Sequence, residues 1–117
     1  MNTYGYVRVS TFQQANEGDS LETQLRQITS YSELKGYKIP PENLITEKGV
    51  SGSLEFEKRP EGSRLFASLQ SGDILIFSKL DRAFRNTRNA LNTLHELKLR
   101  GVSVHFIDLG DRKSTRL

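Results

Sequence analysis

Arg8 and Ser10 stand two residues apart in the segment Tyr4-Gly5-Tyr6-Val7-Arg8-Val9-Ser10-Thr11. If that segment is a strand, its period-two alternation points both side chains to one face. A guanidinium is a permanently charged fork that grips phosphate. A hydroxyl beside it is placed to attack what the fork holds. The ordinary reading of Ser10 is a turn residue or helix cap. Arg8 shifts that reading, because an arginine within a strand is costly unless it is paired or wet at the strand's end.

A second group follows an apolar run: Lys79-Leu80-Asp81-Arg82-Ala83-Phe84-Arg85-Asn86. Asp81 and Arg85, four apart, would make a helical surface ion pair of about 0.3–0.5 kcal/mol. Such a pair does not account for Lys79, Arg82 and Arg85 gathering around one carboxylate. Phosphoryl transfer does, because charge builds on the non-bridging oxygens and guanidinium groups stabilise it without a metal. Asp81 would then orient the arginines or handle a proton. Gln24, Arg59 and Glu47 complete the candidates, each with an ordinary alternative. Gln24, off the apolar stripe of its helix, reads as a solvated helix residue. Arg59 reads as a solvated loop residue, or as a further phosphate ligand on a mobile loop. Glu47 reads as a polar strand end.

The elements that must position these residues alternate strand and helix. A first strand covers Thr3 to Val9, and a polar loop, Gln13 to Gly18, follows. Asp19 or Ser20 caps a helix with the stripe Leu21, Leu25, Ile28 and Tyr31, and Gly36 ends it. A thin second strand is expected near Asn43 to Glu47, where only Leu44 and Ile45 are apolar. After the loop Lys48 to Lys58, Pro60 opens a second helix with Leu65, Phe66 and Leu69 inward, and Gly72 closes it. Ile74 to Phe77 is a continuous apolar run, as in a strand buried on both faces. A third helix, about Thr87 to Arg100, puts Ala90, Leu91, Leu94 and Leu97 on one side. Gly101 leads into a fourth strand, Val102 to Ile107, closed by Asp108. This alternation predicts an α/β fold, a mainly parallel sheet of about four strands with helices on both faces. Ligand sites in such sheets lie beyond the carboxyl ends of the strands. Here those ends lead into Ser10, Glu47, Ser78 and Asp108, and the third exit is the richest in charge.

Composition narrows the choices. At 117 residues the chain suits one domain with one core. It has no cysteine and only His95 and His105, which excludes disulfides and cysteine zinc sites and disfavours a histidine-rich metal site. Gly49 and Gly52 lack the lysine and spacing of a P-loop. Glu47, Asp108 and Asp111 make no convincing metal set. No apolar run approaches a membrane span and no signal peptide precedes the first strand, so a cytoplasmic protein is expected. A net charge of +3 and a pI near 9.3 are compatible with a polyanionic partner.

Four blocks in order resemble the catalytic domain of the serine recombinases, the resolvase/invertase family, over about residues 3–108. They are Tyr6 to Thr11, Ser20 to Gln24, Glu47 to Gly52 with Arg59-Pro60, and Gly72-Asp73 through Asn86. The resemblance implies a resolvase-like three-layer fold acting on double-stranded DNA as dimers that pair into tetramers. It implies that Ser10 attacks a phosphodiester, leaving a 5′-phosphoserine and a free 3′-hydroxyl, and that strands are exchanged and resealed without ATP, metal or other cofactor. Arg8, Arg82 and Arg85 would hold the scissile phosphate, with Lys79 also touching DNA. Gln24 and Arg59 would assist, and Asp81 would position the arginines or move a proton. Glu47 falls where the family often has aspartate. Residues 1–108 are expected to form the catalytic domain and 109–117 a short basic tail. That tail ends before the family's long dimerisation helix and DNA-binding domain, so recombination by these residues alone is not expected. Two other readings stand beside this one. One is a non-catalytic phosphate- or nucleotide-binding module, and the other a metal-dependent nuclease using Glu47, Asp108 and Asp111.

Overall fold

The architecture follows from where each apolar stripe finds a partner. The computed structural model describes residues 2–9, 21–50, 54–78, 84 and 87–107. Four strands, β1 (Thr3–Val9), β2 (Leu44–Lys48), β3 (Ile74–Phe77) and β4 (Ser103–Phe106), form one sheet. It is parallel throughout, in the order β2-β1-β3-β4. Helices α1 (Leu21–Lys35), α2 (Pro60–Ser68) and α3 (Thr87–Leu99) connect them. Short 3-10 turns at Pro41–Asn43 and Phe56–Lys58 lie in the connections.

β3 shows why the sheet has two covered faces. Leu75 and Phe77 join Tyr6, Leu65, Leu97 and Phe106 in one cluster, while Ile74 and Ile76 join Val7 and Ile28 in another. The first cluster takes its helical residues from α2 and α3, the second from α1. The connection from β1 to β2 runs to one side of β1, and the later ones run to the other side. Right-handed crossovers running in opposite directions place their helices on opposite faces, and the three-layer α/β arrangement results. β2 is an edge strand, which explains its thin apolar content.

Helices α1 and α3 end alike. Gly36 (φ +79°) and Gly101 (φ +86°) adopt the left-handed conformation that costs glycine least. Tyr37 N–H donates to Ser32 O and Gly36 N–H to Glu33 O. Val102 N–H to Leu97 O and Gly101 N–H to Lys98 O repeat the pattern. These paired bonds satisfy the last carbonyls of each helix and turn the chain toward the next strand.

Two expected positions are corrected. Leu91 is 52% exposed, whereas Thr93 is fully buried. The inward face of α3 runs through Ala90, Thr93, Leu94 and Leu97, and Asn89 is buried on its flank. That flank meets the polar Phe56–Lys58 turn, and polar partners there displace a leucine. Gln24 is 2% exposed, not solvated. Its spacing of four from Ile28 puts it on the buried face of α1.

Candidate functional site

The sheet order makes a topological switch point between β1 and β3, because the chain leaves them in opposite directions. Open parallel sheets bind ligands at that point, beyond the carboxyl ends of the strands. β1 delivers Val9 there and β3 delivers Ser78. Ser10, Lys79, Asp81, Arg82 and Arg85, together with Asp108, Asp111 and the tail 109–117, lie outside the described residues. Arg8, Gln24, Glu47 and Arg59 lie within them, and all four are buried.

Arg8 is 2% exposed and pairs in register with Glu47 of β2. Its Nη1 donates to the Val50 carbonyl at 2.7 Å. Tyr6, two residues earlier, shares its face. The Tyr6 hydroxyl donates to Glu47 Oε1 at 3.0 Å and accepts from Arg59 Nη1 at 3.2 Å. Burial pushes the Tyr6 hydroxyl well above the usual phenol range, and the nearby Arg59 only partly offsets this. The hydroxyl therefore stays protonated and able to donate to Glu47.

Glu47 is a buried bracket, not a polar strand end. Oε1 accepts from Gly62 N–H at 2.8 Å as well as from Tyr6, and Oε2 accepts from Glu61 N–H at 3.0 Å. The cap residue of α2, Arg59, makes no side-chain cap bond. The orphan amides of the first turn are met instead by a carboxylate from β2, the charge a helix N-terminus favours. Gly62 makes room for the preceding turn: a Cβ there would lie 2.5 Å from the Phe56 carbonyl oxygen, while its 3.5 Å from Glu47 Oε1 would be ordinary contact. With both oxygens accepting N–H or O–H bonds, Glu47 serves to position its neighbours. This weakens its part in the metal-dependent alternative. Among the described residues no group of three His, Cys, Asp or Glu side chains could hold a metal ion.

Arg59 is likewise not carried on a solvated, mobile loop. It is fully buried, with its guanidinium 5.7 Å from the Phe56 ring centroid and 5.6 Å from that of Phe84. Nε donates to the Leu54 carbonyl at 3.0 Å. The aromatic faces attract the cation, and a fixed charge in this low-dielectric setting acts at longer range than one in water. Gln24 approaches from the α1 side of the sheet, where its Oε1 accepts from the Ser78 hydroxyl at 3.1 Å.

The structure thus joins Glu47 and Arg59 through the Tyr6 hydroxyl in one buried network, sets Arg8 beside Glu47 in register on the Tyr6 face of β1, and places Gln24 on the opposite face at the end of β3. Tyr6 was missed from sequence, although the same period-two rule that paired Arg8 with Ser10 includes it. The Val50 and Leu54 carbonyls and the amide of Asn89, which organise the network, carry no comparable sequence signal.

The model of the resolvase N-terminal domain matches residues 3–116. The chain belongs to the resolvase family. Within that family it is 37% identical over 107 residues to the transposon Tn2501 resolvase of Escherichia coli, and 38% identical over 107 residues to the serine recombinase PinR of Escherichia coli strain K12. Each alignment covers 92% of this chain and 50% of the relative, so this resolvase-family chain spans about half the length of those proteins. Among solved structures it is similar to the N-terminal catalytic domain of TP901-1 integrase. That match has a TM-score of 0.78 and 26% identity, covering 93% of this chain and 79% of the other. A resolvase-family recombinase from Streptococcus pneumoniae matches with a TM-score of 0.72 and 28% identity, covering 95% and 74%. The four-stranded parallel sheet with helices on both faces is the fold expected for the family. No helix among the described residues is long and apolar enough to cross a membrane.

Proposed function

We propose that this chain is the catalytic part of a site-specific DNA recombinase that breaks and rejoins strands through Ser10. The observation that carries the reading is Arg8. It is a buried cation at the carboxyl end of β1, at the switch point of the sheet, on the face that strand alternation assigns to Ser10. On the same face Tyr6, Glu47 and Arg59 are bonded to one another, a fixed buried wall of the kind that electrostatic preorganisation requires.

In the proposed step the Ser10 oxygen attacks the phosphorus of a DNA phosphodiester. The Oγ–P bond forms as the P–O3′ bond breaks, and the serine proton ends on the leaving 3′-oxygen. Asp81 either moves that proton or orients Arg82 and Arg85. Those two arginines and Arg8 carry the charge on the non-bridging oxygens, while Lys79 holds the backbone nearby. Neither histidine of the chain sits in a motif near Ser10, so a cage of cations that lowers the cost of its alkoxide activates the serine in this reading. Gln24 supports the flank, and Glu47 and Arg59 act by fixing the wall. Attack by a 3′-hydroxyl of the exchanged strand reverses the step, so the phosphodiester energy is conserved and no cofactor enters. Double-stranded DNA is the proposed substrate, and dimers pairing into a tetramer the proposed assembly.

The test is to incubate the protein in EDTA with supercoiled plasmids carrying fragments of its source genome, and to quench in denaturant. The expected product is a protein joined to a DNA 5′ end through Ser10, located by mass spectrometry and absent from Ser10→Ala. An adduct that survives Ser10→Ala, or cleavage abolished by EDTA, would sink the reading.

A further inference from the structure

A buried polar cluster lies between α3 and the loop joining β2 to α2, and the chemistry above does not use it. Asn89 of α3 is 6% exposed and Thr93 fully buried, within a helix face otherwise formed by Ala90, Leu94 and Leu97. An amide and a hydroxyl in such a face are costly unless their bonds are satisfied. Here they are. Asn89 Oδ1 accepts the Phe56 N–H at 3.1 Å, and Nδ2 donates to Glu57 Oε1 at 3.0 Å and to Thr93 Oγ1 at 3.3 Å. The Thr93 hydroxyl donates to the same Glu57 oxygen at 3.4 Å.

These bonds fix the Phe56–Lys58 turn, and that turn leads directly into Arg59. The backbone bonded by Asn89 is that of Phe56, whose ring lies against the Arg59 guanidinium. The same loop supplies the carbonyls that anchor both buried arginines, Val50 to Arg8 and Leu54 to Arg59. The helix that carries Asn89 begins at Thr87, two residues after Arg85 in sequence.

We propose that Asn89 is a positioning residue for the catalytic site, tying the loop that anchors Arg8 and Arg59 to the helix that follows Arg82 and Arg85. Thr93 and Glu57 complete the tie. Asparagine suits this place because one planar group both accepts from a backbone amide and donates to a carboxylate. The inference rests on the recombinase reading and deepens it by adding a residue outside the four family-like blocks.

The experiment measures adduct formation in single turnover, and DNA binding separately, for the unaltered protein and for Asn89→Ala, Asn89→Asp and Thr93→Val. Asn89→Ala is expected to slow adduct formation about 10- to 100-fold with DNA affinity within twofold, the loss in rate expected when catalytic groups are misplaced. Asn89→Asp accepts from Phe56 N–H when ionised but cannot donate to Glu57. Once protonated it can do both. Its rate relative to the unaltered protein should therefore rise as pH falls from about 8 to about 6, which a purely structural loss would not produce. Thr93→Val, which keeps the shape of the side chain, should show a smaller loss in rate, and it keeps the test open if Asn89→Ala does not fold.

Equal adduct rates for the unaltered protein, Asn89→Ala and Thr93→Val overturn the inference alone. So does an Asn89→Asp deficit that is flat with pH. Absence of any Ser10 adduct from the unaltered protein overturns the recombinase reading and this inference with it.

Discussion

The Tyr6 hydroxyl is shared between a buried cation, Arg59, and a buried carboxylate, Glu47. Without it, Glu47 Oε1 keeps the Gly62 amide, but Arg59 Nη1 loses an acceptor in a place closed to water. Depriving a buried donor of its acceptor costs about 1–3 kcal/mol. Tyr6→Phe should therefore lower the unfolding free energy by that amount, read as a lower urea midpoint with an unchanged slope, the sign of lost stability without a change in compactness. The phenyl ring keeps its edge contacts with Phe56 and Phe77, so cavity formation does not confuse the result. A midpoint unchanged within error would show that the hydroxyl is not what couples Arg59 to Glu47.

At the scale of elements, α1 and the edge strand β4 share a polar contact, the Tyr31 hydroxyl 2.9 Å from His105 Nδ1. The Tyr31 and Tyr37 rings stand edge-on to the imidazole, each with its centroid 5.8 Å away. Burial, and then the nearby Lys35, hold the His105 ring below its ordinary pKa, while burial keeps Tyr31 protonated and able to donate. The unfolded chain, with a histidine pKa of about 6.5, binds the proton before the folded one does. Stability from this contact is thus complete above about pH 6.5 and declines as the pH falls toward the folded value. Urea unfolding between about pH 7.5 and 5 should show a steeper decline for the native protein than for His105→Gln. Parallel curves would remove His105 from the account. The elements themselves were largely legible in sequence. Thr3–Val9 and Ile74–Phe77 were read to the residue, because a β-rich run and a doubly apolar run are strong local signals. Arg59 was not, since its burial depends on Phe84 and Tyr6, distant in sequence. Gln24 was misread although its spacing to Ile28 was visible, because a polar residue on a buried face looks solvated until its partner, Ser78, is known.

For the whole molecule, topology sets strands that are distant in sequence side by side. Strands β1 and β3 lie side by side although some seventy residues of numbering separate them (Thr3 pairs with Ile74), and the chain leaves them in opposite directions. Cations and anions are nearly balanced over the chain: 17 Lys and Arg against 14 Asp and Glu leave a net charge of +3. A small net charge with local clustering gives contact with few phosphates, and each one neutralised changes the salt exponent by about −0.9. With about three to five contacts, the exponent for duplex DNA would be about −2.7 to −4.5, so affinity would fall about 40- to 500-fold between about 50 and 200 mM salt. Binding should also be indifferent to sequence, because phosphate contacts orient a protein without reading bases. Titration of this chain against unrelated duplexes at several salt concentrations measures both quantities. Sequence-selective nanomolar binding at 200 mM salt would mean that these 117 residues read bases directly, and the account of their DNA contacts as phosphate contacts alone would have to be abandoned.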